Sequence, residues 1–214
     1  MAWFTMIKSS RLVSSGLFLL IIWSFFSLSG QAQSLETKDE AKKDSDLPKF
    51  YRIDDHYFRG AQPSEAGFRK LAEMGVKVVV DLRDANGERD DREEQLVTKL
   101  GMRYINLSIS TFRAPEEEQI QRFVALMQER ESQPVFVHCW RGNDRTGLIT
   151  GIYRVEFYNW TGEQAYKEMK EHGFSLSFLR RGMKSYLFKY AERKAYNKSN
   201  VSENISSSNE QTKD

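Results

Sequence analysis

The sequence has little cysteine and little histidine. Its 214 residues include one cysteine, Cys139, and three histidines, His56, His138 and His172. A single cysteine has no intramolecular partner for a disulfide. The histidines are far apart in the sequence and do not have the spacing of a zinc site. We therefore expect no metal site and no cofactor.

The chain also lacks a strong excess of either charge. Its formal net charge is +2, and both extra positive charges, Lys8 and Arg11, lie in the first 32 residues, which contain no acid. Removing these two from the 32 basic residues leaves 30, equal to the 30 acidic residues. This balance argues against bulk nucleic-acid binding, so we expect no nucleic-acid partner.

Only one long hydrophobic run is present, and it lies near the N-terminus. Residues 12–28 carry no charge, follow two basic residues, and precede Gly30 and Ala32. These small residues occupy positions −3 and −1 of a cleavage site after Ala32, which indicates a signal peptide over residues 1–32. An uncleaved signal anchor is the alternative, because the run is near the lower length limit for a membrane span. Both interpretations predict an exported domain, periplasmic, secreted or anchored to a membrane by this segment.

Composition divides the rest of the chain into three parts. Residues 33–47 are polar and lack aromatic residues, which predicts a linker. Residues 196–214 are rich in Ser and Asn, which predicts a disordered tail. We therefore expect one folded domain over residues 48–195, a size that supports its own core.

Within this domain, strand-like and helix-like segments alternate. We expect strands in residues 50–60 (a strand or hairpin), 76–83, 102–109 and 134–139, and helices in residues 63–74, 88–100, 115–130, 146–158, 161–173 and 177–190. Such alternation predicts an α/β fold, in which helices flank a central, mostly parallel sheet.

The stretch HCWRGNDRTG, residues 138–147, combines a nucleophile with anion-binding features. Cys139 ends an apolar strand at the sheet edge where α/β proteins bind ligands. The helix start that follows, with Gly142 allowing a tight turn, directs backbone N–H groups at an anion. Arg145 adds a planar set of donors suited to phosphate, and the positive field favours the Cys139 thiolate. We expect phosphate binding by residues of this loop: Cys139, Trp140, Arg141, Gly142, Asn143, Asp144 and Arg145.

This loop resembles the signature loop of the cysteine-dependent protein tyrosine phosphatase superfamily. The shared pattern is His138, Cys139, five residues, and then Arg145 followed by Thr-Gly. The stretches FRGAQPS and VVVDLRD and the pattern IYR…W…A…EM resemble the dual-specificity-like branch, over about residues 50–180. The resemblance implies a phosphatase-like fold and hydrolysis of phosphate monoesters through a phosphocysteine, without a cofactor. It implies a phosphorylated protein, a phosphoinositide or an inositol phosphate as substrate.

The resemblance also implies a role for each loop residue. Cys139 would attack phosphorus, and Arg145 with the loop amides would hold the phosphoryl oxygens. Thr146 would donate a hydrogen bond to the Cys139 sulfur, and His138 would orient the loop.

The general acid is less obvious, because no Asp lies between Arg92 and Asn143. Relatives take an Asp from a separate upstream loop, which here falls near Leu107 and Ser108. Asp144 is the candidate, and an Asp at this position resembles myotubularin-type lipid phosphatases and certain secreted bacterial phosphatases. The alternatives are that Asp144 only pairs with an arginine or caps the helix, and that Glu116, Glu117 or Glu118 is the acid.

Other residues bear on the substrate. Arg141 would face a second phosphate, as in plant and fungal phosphatases that act on inositol pyrophosphates, although Asn143 and Asp144 depart from their pattern. Trp140 would flank the pocket mouth or pack beneath it. Arg59 and Arg83 would point toward the phosphate or serve the fold.

Three other interpretations of the loop remain. In the first, Cys139 is a buried core residue. This interpretation does not explain the polar residues around it. A rhodanese-like sulfurtransferase also carries a cysteine in an anion-binding loop, but the spacing to Arg145 favours a phosphatase. A catalytically inactive phosphate-binding module is the third, and the presence of both Cys139 and Arg145 argues against it.

Overall fold

The computed structural model describes residues 45–84, 90–177 and 180–210 of the chain. The signal segment expected at residues 1–32, and the linker as far as residue 44, lie outside these ranges. Within them, no helix is long and apolar enough to cross a membrane.

In the described part of the chain, five strands form one sheet, and six α-helices accompany them. The strands are β1 Tyr51–Arg52, β2 Tyr57–Gly60, β3 Val78–Asp81, β4 Arg103–Asn106 and β5 Val135–His138. The helices are α1 Glu65–Glu73, α2 Asp91–Lys99, α3 Glu117–Gln128, α4 Asp144–Tyr158, α5 Gly162–Glu171 and α6 Arg181–Glu210. The order in the sheet is β1-β2-β5-β3-β4, and only the β1–β2 hairpin is antiparallel. This arrangement confirms the predicted α/β fold with a mostly parallel sheet.

The central strand β5 is buried on both faces. Val135 and Val137 pack into a core that contains residues of α3 to α6, whereas Phe136 packs with residues of α1 and α2 on the other face. Apolar side chains on both faces explain why the strand appears in the sequence as an unbroken hydrophobic run. The end of β5 is therefore fixed from both sides.

Two boundaries differ from those expected. Leu47 is buried, and the Asp46 carboxylate accepts hydrogen bonds from Ser64 Oγ at 2.7 Å and Lys70 Nζ at 3.1 Å. The fold therefore begins before residue 48, because these contacts bind the supposed linker to α1.

The second difference is at the C-terminus, where a disordered tail was expected from residue 196. Instead α6 continues to Glu210, and only residues 211–214 of that tail lie outside the described ranges. No Gly or Pro follows Gly182 in this helix, so nothing in the sequence breaks it. Lys198 Nζ also donates to Asn159 Oδ1 at 3.1 Å, which binds the first turn of the expected tail to the end of α4.

Candidate active site

The loop that carries Cys139 lies at the carboxyl edge of the sheet. Its strand, β5, runs between β2 and β3, and His138 is aligned with Gly60 on one side and Asp81 on the other. Helix α4 begins at Asp144, two residues earlier than predicted, so the loop is only five residues long. Cys139 thus lies within a few residues of a helix N-terminus, as the anion-site hypothesis requires.

Gly142 makes the loop's tight turn, as predicted. Its φ of +69° lies in the region that favours glycine. An added Cβ would lie 2.7 Å from Ala61 N and from Gly60 O, which are backbone atoms at the end of β2. The loop can therefore pack this closely against β2 only if residue 142 lacks a side chain.

The carbonyl groups of the loop are held by donors outside it. Gln62 N donates to Trp140 O at 3.3 Å, and Arg59 Nη2 donates to Gly142 O at 2.8 Å. In a trans peptide the C=O and the following N–H point in opposite directions. The amides after Trp140 and Gly142 therefore point away from these supports, which is the orientation that presents N–H groups to an anion.

A pocket of about 230 Å³ opens beside this loop. It is lined by residues of the loop and α4 and by two residues from other segments: Cys139, Trp140, Arg141, Asp144 and Arg145, together with Thr111 and Arg180. Three arginines and one carboxylate surround the thiol. The structure therefore brings five of the predicted phosphate-binding residues into one cationic pocket.

Arg145 and Thr146 are both buried in the first turn of α4. Arg145 lines the pocket, and its Nη1 lies 3.4 Å from Leu82 O. The Thr146 hydroxyl lies 3.5 Å from Gly60 O. Its hydrogen bond is directed at that carbonyl, and a bond to the Cys139 sulfur stays a prediction.

Asn143 contributes to the site differently from the other loop residues. Its Oδ1 accepts a hydrogen bond from Lys49 Nζ, and its side chain lies against Gly173. Asn143 does not line the pocket. Only its backbone amide therefore stays a candidate for anion binding.

His138 is buried and acts on the loop through α2. Its Nε2 lies 3.0 Å from Glu93 Oε1, and Gln62 Nε2 donates to Glu93 Oε2 at 2.7 Å. Because Gln62 N also holds the Trp140 carbonyl, a chain of contacts joins His138 to the loop backbone. This agrees with an orienting role, but Glu93 and Gln62 were not predicted to take part.

Arg83 serves the fold rather than the phosphate. Its Nε and Nη2 each donate to Asp81 at 2.9 Å, and Nη2 also binds Glu93. Burial alone would raise the pKa of Asp81, but the hydrogen bonds from Arg83 and the positive charge of Arg83 lower it overall. Asp81, Glu93 and His138 bring potential metal ligands within 4.8 Å of one another. Arg83 already pairs with both carboxylates, so this cluster is a buried salt bridge.

Arg59 also supports the loop from below. Its side chain is almost completely buried, and burial lowers its pKa. It binds the Gly142 carbonyl and does not line the pocket. Both Arg59 and Arg83 therefore have the structural role that the sequence left open.

Among the described residues that line the pocket, Asp144 is the only carboxylate. Its Oδ1 accepts a hydrogen bond from Ser175 N at 2.7 Å, and its Oδ2 accepts one from Arg180 Nε at 2.8 Å. Asp144 therefore lies in the same pocket as Cys139 and also pairs with an arginine. Both interpretations of this residue agree with the structure.

The glutamates at the start of α3 lie elsewhere. Glu116 caps the helix with Gln119, and Glu117 Oε2 accepts hydrogen bonds from Tyr186 OH at 2.9 Å and Arg193 Nη2 at 2.8 Å. The hydrogen bond from Arg193 lowers the pKa of Glu117, as a carboxylate held by a cation requires. None of Glu116, Glu117 and Glu118 lines the pocket, so the alternative position for the acid has no support in the geometry.

Thr111 and Arg180 were missed in the sequence. Thr111 lies between β4 and α3, and Arg180 lies directly before α6. No local pattern distinguishes them, since the only signal is the Arg-Arg pair at residues 180–181. Their position at the pocket follows from how the segments pack, which periodicity does not describe.

Comparison with known proteins gives a consistent result. Residues 34–181 match the family described as "DSP-PTPase phosphatase fused to NAD+ Kinase". The dual specificity protein phosphatase TpbA of Pseudomonas aeruginosa is 30% identical over 125 residues, 58% of this chain and 54% of TpbA. The inositol diphosphatase DSP2 of rice is 30% identical over 107 residues, 49% of this chain and 52% of DSP2. The chain thus spans about half the length of these curated relatives.

Solved structures share the fold. The crystal structure of P. aeruginosa TpbA aligns with a TM-score of 0.56 and 26% identity, covering 71% of this chain and 91% of that one. A structure of TpbA in complex with pTyr aligns with a TM-score of 0.56, 25% identity and the same coverage. Since the family match covers more than half of the chain and includes the Cys139–Arg145 loop, the chain belongs to this family of dual-specificity-type cysteine-dependent phosphatases.

Proposed function

We propose that this chain hydrolyses phosphate monoesters through a phosphocysteine intermediate on Cys139. The observation that carries the proposal is the placement of the thiol and Arg145 in one pocket, beside loop amides and the start of α4. In the first step a bond forms between sulfur and phosphorus while the bond from phosphorus to the leaving oxygen breaks. In the second step water attacks phosphorus, and the sulfur departs as a thiolate with release of inorganic phosphate.

Arg145 and the loop amides bind the three non-bridging oxygens of the phosphoryl group. These donors are fixed before the substrate arrives, because the loop carbonyls are bound by Gln62 and Arg59. Preorganised donors of this kind stabilise the transition state without the cost of reorientation. Thr146 stays a candidate donor to the departing sulfur.

Asp144 is the proposed general acid and then the general base. It would give a proton to the leaving oxygen and later take one from the attacking water. A poor leaving group such as an alkyl alcohol needs that proton, whereas nitrophenolate does not. Asp144→Asn is therefore expected to lower kcat/KM, which reports formation of the phosphocysteine, by about 10²-fold or more for an alkyl phosphate and far less for p-nitrophenyl phosphate. Equal losses on both substrates would show a structural role instead.

Phosphorylated proteins, including those with phosphotyrosine, are the proposed substrates. TpbA is a dual specificity protein phosphatase, and one of its structures holds pTyr. Trp140 lines the pocket and is 59% exposed, so an aromatic ring of the substrate can pack against it.

A phosphoinositide or inositol phosphate is the second candidate. The rice relative is an inositol diphosphatase. Arg141 and Arg180 line the same pocket in addition to Arg145, which favours a substrate with a second anionic group.

We further propose that the protein is exported. Support comes from the basic residues, the apolar run and the small residues at positions 30 and 32. Cleavage would release the domain, and an uncleaved segment would anchor it to a membrane.

A substrate panel on the full chain tests the function. Phosphotyrosine and phosphoserine peptides, a phosphoinositide and a soluble inositol phosphate are compared for phosphate release, with Cys139→Ser as the control. We expect turnover of at least one substrate, and its loss in Cys139→Ser with the fold intact. Full activity in that variant would exclude the phosphocysteine mechanism. Binding of inorganic phosphate without any turnover would support an inactive phosphate-binding module.

A further inference from the structure

Arg180 connects three segments of the chain at the pocket. Its Nε donates to Asp144 Oδ2 at 2.8 Å, and its Nη1 donates to the Thr111 carbonyl. Its guanidinium lies over the ring of Phe112, 5.5 Å from the ring centre. One side chain thus joins the start of α4, the segment between β4 and α3, and the segment before α6. Since Arg180 also lines the pocket with Cys139, it lies where the substrate phosphate would bind.

The Arg180 guanidinium has further donors to offer. It carries five N–H groups, and the hydrogen bonds to Asp144 and Thr111 use Nε and Nη1. Within the described part of the chain, its Nη2 makes no hydrogen bond. The side chains of Arg180 and Asp144 are 16% and 18% exposed, so solvent screens their interaction only in part. A phosphate dianion in the pocket carries more charge than the Asp144 carboxylate and would compete with it for Arg180.

In the observed pairing, Asp144 acts only as a hydrogen-bond acceptor. Both of its oxygens accept hydrogen bonds, one from Ser175 N and one from Arg180 Nε. A general acid must carry a proton on one oxygen. A proton on Oδ2 would face the Nε–H of Arg180, where two donors would oppose each other. Donation from Arg180 therefore favours the charged carboxylate, and directing that N–H elsewhere favours the protonated acid.

We propose that Arg180 is a positioning residue for the general acid. Before substrate binds, it pairs with Asp144. When a phosphate group enters the pocket, Arg180 transfers its hydrogen bonds to the phosphate, and Asp144 takes a proton from solvent. That proton then passes to the leaving oxygen as the bond to phosphorus breaks. The inference rests on the proposed function, because it assigns a partner to the same acid.

Phosphate binding tests this transfer without any need for turnover. Calorimetry with inorganic phosphate is done on the full chain carrying Cys139→Ser. Arg180→Gln is expected to weaken binding about tenfold or more, the loss of a hydrogen bond between charged groups. Asp144→Asn is expected to tighten binding severalfold, because the competing carboxylate is gone. Combined with Arg180→Gln, Asp144→Asn should give no such tightening.

The combined variant decides between transfer and simple repulsion. If Asp144→Asn tightens phosphate binding equally with and without Arg180, the carboxylate only repels the anion and the proposal is wrong. Unchanged phosphate affinity in Arg180→Gln would also contradict it. Arg193→Gln is the matched control, since Arg193 is also paired with a carboxylate, that of Glu117, but outside the pocket. It should leave phosphate affinity unchanged.

Kinetics give a second readout. In the active chain, Arg180→Gln should raise KM for both alkyl and p-nitrophenyl phosphate but lower kcat mainly for the alkyl phosphate, because only the alkyl leaving group needs the proton of the Asp144 that Arg180 positions. Arg180→Lys should have a KM between those of the parent and Arg180→Gln. An equal loss of kcat on both substrates would overturn the positioning role. If Cys139→Ser retains turnover, the proposed function fails instead, whatever the calorimetry shows.

Discussion

At the scale of single residues, Gly142 is constrained both by its own backbone conformation and by its neighbours. Its positive φ and the backbone atoms 2.7 Å from an added Cβ leave no room for a side chain. Gly142→Ala should displace the loop from its supports, and a misplacement of about 1 Å costs on the order of 10²-fold in rate. We expect kcat/KM for an aryl phosphate to fall by about that factor.

The matched control for this variant is Gly147→Ala. A Cβ at Gly147 would make an ordinary contact with Met169 at 3.6 Å, so its loss of activity should be much smaller. Equal losses in the two alanine variants would mean that the turn at Gly142 is not the cause. Circular dichroism of both variants shows whether the fold is intact.

Arg145 is the residue whose geometry matters most for binding the phosphoryl group. It is buried at the pocket, and its planar guanidinium can bind two phosphoryl oxygens at once, which lysine cannot do. Arg145→Lys should lose about 3 kcal/mol of transition-state stabilisation, measured as kcat/KM on an aryl phosphate. A loss below about tenfold, roughly 1.4 kcal/mol, would show that another group binds the phosphoryl oxygens.

At the scale of elements, the end of α5 makes stability depend on pH. His172 follows α5 and packs edge-on against Tyr51, with ring centres 4.3 Å apart. Burial, with a contribution from Arg59, lowers the pKa of His172 from 6.5 to about 4. The folded state therefore keeps this side chain neutral where the unfolded state would bind a proton.

The lowered pKa of His172 makes the folded state less stable in acid. The contribution of His172 to stability is complete above pH 6.5 and is lost as the pH falls toward 4. We expect the free energy of unfolding in urea to decrease between pH 7 and pH 5, and to decrease less in His172→Gln. The same pH dependence in parent and variant would show that His172 is not the group responsible.

The order of elements was predictable, but some of their ends were not. The strand and helix periodicities predicted the α/β class, and the loop at residues 138–147 predicted that Cys139 and Arg145 lie together at one site. The helix through Glu210 was missed because composition alone suggested disorder. Arg180 and Glu93 were missed because their roles depend on which segments pack together. Long-range packing of this kind leaves no trace in local sequence.

At the scale of the whole molecule, the N-terminal segment makes a prediction of its own. The charge pattern and the residues at positions 30 and 32 predict a mature chain that begins near Gln33. Mass spectrometry of the protein recovered after export measures this directly. An intact N-terminus recovered from membranes would contradict cleavage and support the anchor.

The whole account depends on a covalent intermediate at Cys139. The most direct measurement is a rapid denaturing quench of Asp144→Asn during turnover of p-nitrophenyl phosphate, followed by mass spectrometry of the peptide that contains Cys139. Formation of the intermediate needs no proton for this leaving group, whereas its hydrolysis needs the Asp144 base, so phosphocysteine should accumulate. The account predicts a phosphate adduct on Cys139 and none when Cys139→Ser is added. Nitrophenol release at the parent rate with no adduct on Cys139 would contradict it.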